Sequence, residues 1–168
     1  MKNKLFLLSI VLIGTMLSSC STTQTAAKKA EEKSQKALRI KEKLVSKAFT
    51  YNATFATPMA SNTIHLTSSY YLKVSKDTVT AYLPYYGRAY TAPVNSSDNG
   101  IKFTSTKFSY EMLDGKRKGN WKINIKTLDT NGDISLHLDV WENGTAQVYI
   151  EDQKRQAISF DGEIEDKK

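Results

Sequence analysis

From Phe49 to the end of the chain, apolar side chains recur at every second position, in runs whose registers must agree with one another. A period of two places alternate residues on opposite faces of a β-strand. A slip of one residue would turn a whole apolar face outward, so neighbouring runs constrain each other's alignment. Around Lys76-Asp77 the pattern sets Val74 against Val79 and Leu72 against Ala81. Across a loop at 114–119, Phe108, Tyr110 and Met112 are expected to face Ile125, Ile123 and Trp121. The latter three are then expected to face Leu136, Leu138 and Val140 across the loop at 129–133.

The next turn discriminates between two hairpins. A two-residue Asn143-Gly144 turn would oppose Asp139 to Val148 and break the apolar face. A three-residue loop, Glu142-Asn143-Gly144 with Gly144 left-handed, opposes Val140, Leu138 and Leu136 to Ala146, Val148 and Ile150, and is a common hairpin type. Val148 and Ile150 then meet Phe160 and Ile158. The pattern predicts five antiparallel strands from about Lys107 to Ile164, with earlier strands near 49–57, 63–74 and 78–84 covering their apolar face. The fold expected is mainly β: a single antiparallel meander forming a small up-and-down, lipocalin-like barrel or a sandwich, preceded by an N-terminal helix. The curled barrel is preferred. Some 120 residues suffice for one core.

The chain before Phe49 reads differently. Met-Lys-Asn-Lys, an apolar run from Leu5 to Leu17 and Ser18-Ser19-Cys20 have the parts of a secretory signal. The run is too short to span a bilayer core, which needs about 20 residues. Leu17-Ser18-Ser19-Cys20 closely resembles the lipobox of bacterial lipoproteins, and Cys20 is the single cysteine, so no disulfide framework exists. The expected organisation is a signal peptide at 1–19, lipidated Cys20 with a basic helical spacer at 20–47, and an all-β domain at 48–168. Cys20 then serves as the lipid anchor, with acyl chains such as palmitate holding the chain on a membrane. Ser21 supplies no aspartate signal for inner-membrane retention, so an outer-membrane lipoprotein facing the periplasm is expected.

The formal net charge of +7 invites a nucleic-acid reading until it is located. Residues 26–47 hold eight Lys/Arg against three Glu, whereas 48–168 hold 14 of each sign. The β domain is neutral and lacks a basic stripe, which argues against nucleic acid as a partner. Residues 26–47 are rich in helix formers. Ala30, Ala37, Leu38, Leu44, Val45 and Ala48 give one weak apolar stripe, expected to face a membrane surface or solvent.

Several motifs bear on chemistry. Tyr82-Leu83-Pro84-Tyr85-Tyr86-Gly87-Arg88-Ala89-Tyr90 concentrates four tyrosines and an arginine in nine residues, the side chains that dominate binding hot spots. Tyr82, Tyr85, Tyr86, Arg88 and Tyr90 are the candidate binding residues; rings plugging one barrel end is the structural alternative. Ser135, His137 and Asp139 share one strand face, but neighbours at that spacing lie about 6.6 Å apart, too far for a catalytic triad. Asp129-Thr130-Asn131-Gly132-Asp133 begins like a calcium loop, yet Ile134 and Val140 stand where an EF-hand needs Gly and Glu. His65 and His137 are the only histidines, so neither a metal site nor a cofactor is expected. Asp77-Thr78-Val79 resembles an O-glycosylation acceptor pattern of some envelope-rich bacteria.

The nine-residue aromatic segment, with Gly100-Ile101-Lys102-Phe103, the Asn143-Gly144-Thr145-Ala146 turn, and Arg155 followed by Ile158-Ser159-Phe160 and Gly162, resembles a family of Bacteroidota lipoproteins defined by a domain of unknown function. The resemblance covers most of 48–165. It implies lipoprotein status and a β-rich domain, and it carries over no catalytic residues. Three functions follow for comparison. The first is a non-enzymatic module binding a small ligand or an envelope partner through Tyr82–Tyr90. The second is a structural or assembly lipoprotein docking another envelope protein. The third is an envelope hydrolase drawing carboxylates from Asp139, Glu142 and Glu111.

Overall fold

The alternation is realised as one continuous sheet. The computed structural model describes residues 21–90, 100–130 and 132–166. Helix α1 spans Ser21–Val45. Nine strands follow: β1 Phe49–Pro58, β2 Ile64–Val74, β3 Val79–Leu83, β4 Ile101–Ser105, β5 Phe108–Asp114, β6 Asn120–Thr127, β7 Ile134–Trp141, β8 Thr145–Asp152 and β9 Arg155–Ile164. Their spatial order is β4-β3-β2-β1-β9-β8-β7-β6-β5, a meander whose first strand pairs with its last. A single sheet decides for the nearly closed barrel over the sandwich. Positions 1–19 and Cys20, where the signal peptide and anchor are expected, lie outside the described residues.

The strand count explains how the barrel closes. All eight ladders are antiparallel, so reversing direction eight times leaves β4 and β5 pointing the same way. Only Thr106 and Lys107 separate them, far fewer than the dozen or more residues needed to return for a parallel pairing. They are therefore successive halves of one kinked strand. The first half pairs with β3 and the second with β6. Nine strands thus make an eight-membered circuit, about the size at which side chains alone fill a barrel.

Asp129 pins this kink. Its carboxylate accepts hydrogen bonds from Ser105 Oγ, from Thr106 N at 2.8 Å and Oγ1 at 3.0 Å, and from Lys107 N at 3.0 Å. Those donors, led by the Ser105 hydroxyl, lower its pKa to about 2. Asp129, whose segment only begins like a calcium loop, commits its oxygens to the corner, while Asp133 pairs with Lys126 at 3.1 Å.

Four expected registers hold: Val74 with Val79, Ile123 with Leu138, Val140 with Ala146, and Val148 with Phe160. Gly144 adopts φ +87°, as the bulged loop requires. The β5–β6 hairpin differs. Tyr110 faces Ile125, Met112 faces Ile123 and Asp114 faces Trp121, two residues from the expected alignment. The turn is tighter, with Gly119 at φ +77° and Gly115 N bonded to Asn120 O. A slip of two keeps every side chain on its own face, so the apolar core is unaffected.

The first compact unit ends at Gln35, and the barrel lies in the second, Lys36–Lys168. Within the second unit, the last turns of α1 pack into the core through Ile40 and Leu44, both fully buried. They lie one turn apart on one helix face. This corrects the expected stripe at Leu44, which faces the core and not a membrane surface or solvent, and adds Ile40, which the stripe omits; Leu38 and Val45 are 65% and 63% exposed. Arg39 makes a two-pronged contact with Asp166, at 3.2 and 2.9 Å, and Lys43 lies 3.6 Å from the same carboxylate. Part of the helix's basic charge is thus used inside the domain. Tyr110 donates to the Leu44 carbonyl at 2.7 Å, satisfying a helix-end acceptor. Lys47 at φ 54° then turns the chain out of the helix.

Candidate functional site

The tyrosine-rich segment leaves β3 at Leu83 and crosses to the start of β9. Leu83 and Pro84 are buried. The Tyr85 hydroxyl lies 2.8 Å from Arg88 O and 2.9 Å from Gln156 O, within donating reach of both. Tyr90 N donates to Lys154 O and Gln156 N to Arg88 O, so Ala89 bridges Arg155 like one rung of a ladder. The Arg155 guanidinium sits 5.0 Å from the Tyr85 ring centre and pairs with Asp152 at 2.9 Å. Partial burial raises the Tyr85 pKa, opposed by Arg155 and the hydrogen bond to Gln156. Tyr85 is therefore the bolt that fastens the segment to the barrel.

The remaining candidates face solvent. Tyr86 is 43% and Tyr90 67% exposed, and Arg88 is exposed with no carboxylate partner among the described residues. Tyr82 projects outward from β3, with the Tyr70 and Tyr71 rings stacked on it at 5.8 and 5.9 Å and Lys102 Nζ 4.8 Å from its centre. Of the five candidate residues, Tyr85 is fastened to the barrel, and Tyr82, Tyr86, Arg88 and Tyr90 are presented at the surface.

The model of the DUF4251 family, described as a domain of unknown function, matches residues 31–164. The chain belongs to the DUF4251 family. Its fold is also similar to the crystal structure of a DUF4251 family protein from Bacteroides eggerthii, with 17% sequence identity and a TM-score of 0.57 over 79% of this chain and 86% of that one. No curated protein matches it.

Elsewhere in this DUF4251 chain, the other chemical motifs resolve into surface contacts. His137 Nδ1 lies 2.9 Å from Asn124 Oδ1, and Nε2 lies 3.7 Å from Glu151. Asp139 accepts instead from Asn120 Nδ2, so Ser135, His137 and Asp139 form no relay. Of the three carboxylates considered for hydrolysis, Glu111 accepts from Asn124 at 3.3 Å, and only Asp139 lines the outer groove of β7, β8 and β9. That groove, walled by Phe55 and Trp141, escapes the sequence reading. Phe55 continues the alternation of Phe49, Tyr51 and Ala53, so the sequence places it inward; the bulge between Ala53 and Phe55 turns it out and passes the inward position to Ala56.

Proposed function

We propose that this DUF4251 domain is a non-enzymatic docking module of the bacterial envelope. Acyl chains on Cys20 tether it to the outer membrane on the periplasmic side, and Tyr82, Tyr86, Arg88 and Tyr90 contact an envelope partner protein. The observation that carries this reading is the division of labour within one segment. Tyr85 and two backbone hydrogen bonds fix it, while its other aromatic and cationic side chains stand in solvent. Tyrosine and arginine held in place lose little conformational freedom on association, which favours their use at interfaces. An exposed platform suits a protein surface better than an enclosed small molecule.

The test is site-specific photo-crosslinking in the membranes of the producing bacterium. A photoreactive residue at Tyr86 is expected to give a discrete adduct that Arg88→Ala weakens. The same reagent at Lys122, on the outer face of β6, is expected to give none. Equal adducts from both positions, or none at Tyr86, would end the docking reading. The anchor is tested separately: Cys20→Ser is expected to move the protein from the membrane to the soluble fraction, and unchanged fractionation counts against it.

A further inference from the structure

The outward residues of β1, β9, β8 and β7 around Phe55, Asp161, Gln147 and Asp139 form a second surface, farther along β9 than Arg155 and Gln156, where the tyrosine segment is fastened. Register aligns Phe55 with Asp161, while Gln147 lies between Asp161 on β9 and Asp139 on β7. At about 4.8 Å per strand, this row spans roughly 14 Å. In the adjacent row Glu163 faces Thr145, and Trp141 follows two residues after Asp139 on β7. An open groove of about 530 Å³ runs along these rows. The two aromatic rings stand at its diagonally opposite corners.

The register shift at Ala53/Phe55 inserts Thr54 as an extra residue and turns Phe55, 40% exposed, toward the groove. Between the rings, Gln147 Nε2 donates to Asp161 at 2.9 Å. Neither Asp139 nor Asp161 forms an ion pair among the described residues, so each carboxylate keeps acceptor capacity.

We propose that this groove binds a short neutral oligosaccharide. A sugar ring presents a C–H face that lies flat on an aromatic ring and an edge of hydroxyls that donate to carboxylate and amide oxygens. Two rings bracketing a row of acceptors match a chain of a few such units, and the volume falls within the roughly 300–1,000 Å³ of ligand sites. Asp139, Asp161 and Glu163 disfavour uronate or phosphorylated sugars by like charge.

The chain has two tryptophans, Trp121 pointing into the core and Trp141 in the groove, so intrinsic fluorescence reports occupancy. The full chain, in a detergent without a sugar headgroup, is titrated with maltotriose, cellotriose, tri-N-acetylchitotriose and trigalacturonate. A saturable change with at least one neutral trisaccharide and none with trigalacturonate is expected. Phe55→Ala and Gln147→Ala should each raise that Kd about tenfold or more at unchanged thermal unfolding. Silence from all three neutral sugars at their solubility limits, equal binding of trigalacturonate, or binding that survives both substitutions would overturn the assignment. Tyr86→Ala should leave the titration unchanged, so this result stands or falls apart from the docking reading.

Discussion

Tyr51 offers a test of the core. Its side chain points inward from β1 with no exposure, and its hydroxyl has no hydrogen-bond partner among the described residues. Tyr51→Phe keeps the ring and deletes only that oxygen. A buried hydroxyl without a partner costs about 1–3 kcal/mol. The gap left by one oxygen forfeits a few tenths of that, at roughly 24 cal/mol per Å³. The expected net result is a gain of about 1–2 kcal/mol, or some 3–6 °C in Tm for a domain of this size. Urea unfolding should show a higher midpoint at an unchanged slope. A loss of 1 kcal/mol or more would refute the reasoning, because it would mean the hydroxyl makes a bond worth more than its burial costs.

The same residue makes an alkaline prediction. Burial, with a smaller contribution from the negative charge of Asp161, pushes the Tyr51 hydroxyl well above the usual tyrosine range. Burial does the same for Tyr110. Above about pH 10 the unfolded chain releases these protons while the folded chain keeps them, so stability falls as pH rises. Tyr51→Phe should make that fall shallower by one proton's worth of slope.

Three further outcomes follow from the closure and the helix. Asp129→Ala should lower Tm at pH 6, and the gap to the parent should close as pH falls from about 4 through about 2, because a depressed carboxyl pKa stabilises only while the folded group is ionised; a gap independent of pH would remove the charge from the account. Gly144→Ala, at φ +87° and with its new methyl 3.4 Å from Ile40 Cδ1, should cost about 1 kcal/mol or more in urea unfolding. Leu44→Ala, removing a fully buried leucine from α1, should cost about 2–5 kcal/mol, whereas truncating the exposed Leu38 should stay within about 0.5 kcal/mol.

The hairpins were legible because parity is a strict constraint. Of the two hairpins possible at Asn143-Gly144, the two-residue turn opposes Asp139 to Val148 whereas the three-residue loop opposes Leu138 to it, and the latter register is observed. Parity cannot detect a slip of two, which is why the β5–β6 register was missed. Lys116, Arg117 and Lys118 permit turns of several lengths, and Asp114 gives no apolar signal of its pairing with Trp121. The pinning of the kink by Asp129 was hidden for another reason: its partners lie 22–24 residues away in sequence. Ile40 was overlooked between Arg39 and Lys41, since the carboxylate that holds Arg39 against the barrel is Asp166, 127 positions later. Within the tyrosine segment, composition marked the residues but could not separate the anchor from the presented rings. That distinction rests on Gln156 O, which accepts from Tyr85 across 71 residues of chain.

The placement of β1 between β2 and β9 has a mechanical consequence. A load that reaches β1 at Phe49 runs along the axis of a strand flanked on both sides by antiparallel ladders. Such a pull must shear both sets of hydrogen bonds together instead of unzipping them one at a time. The Arg39–Asp166 contact shortens the lever by coupling the helix to the segment following β9. Load entering along β1 is therefore met by two ladders at once.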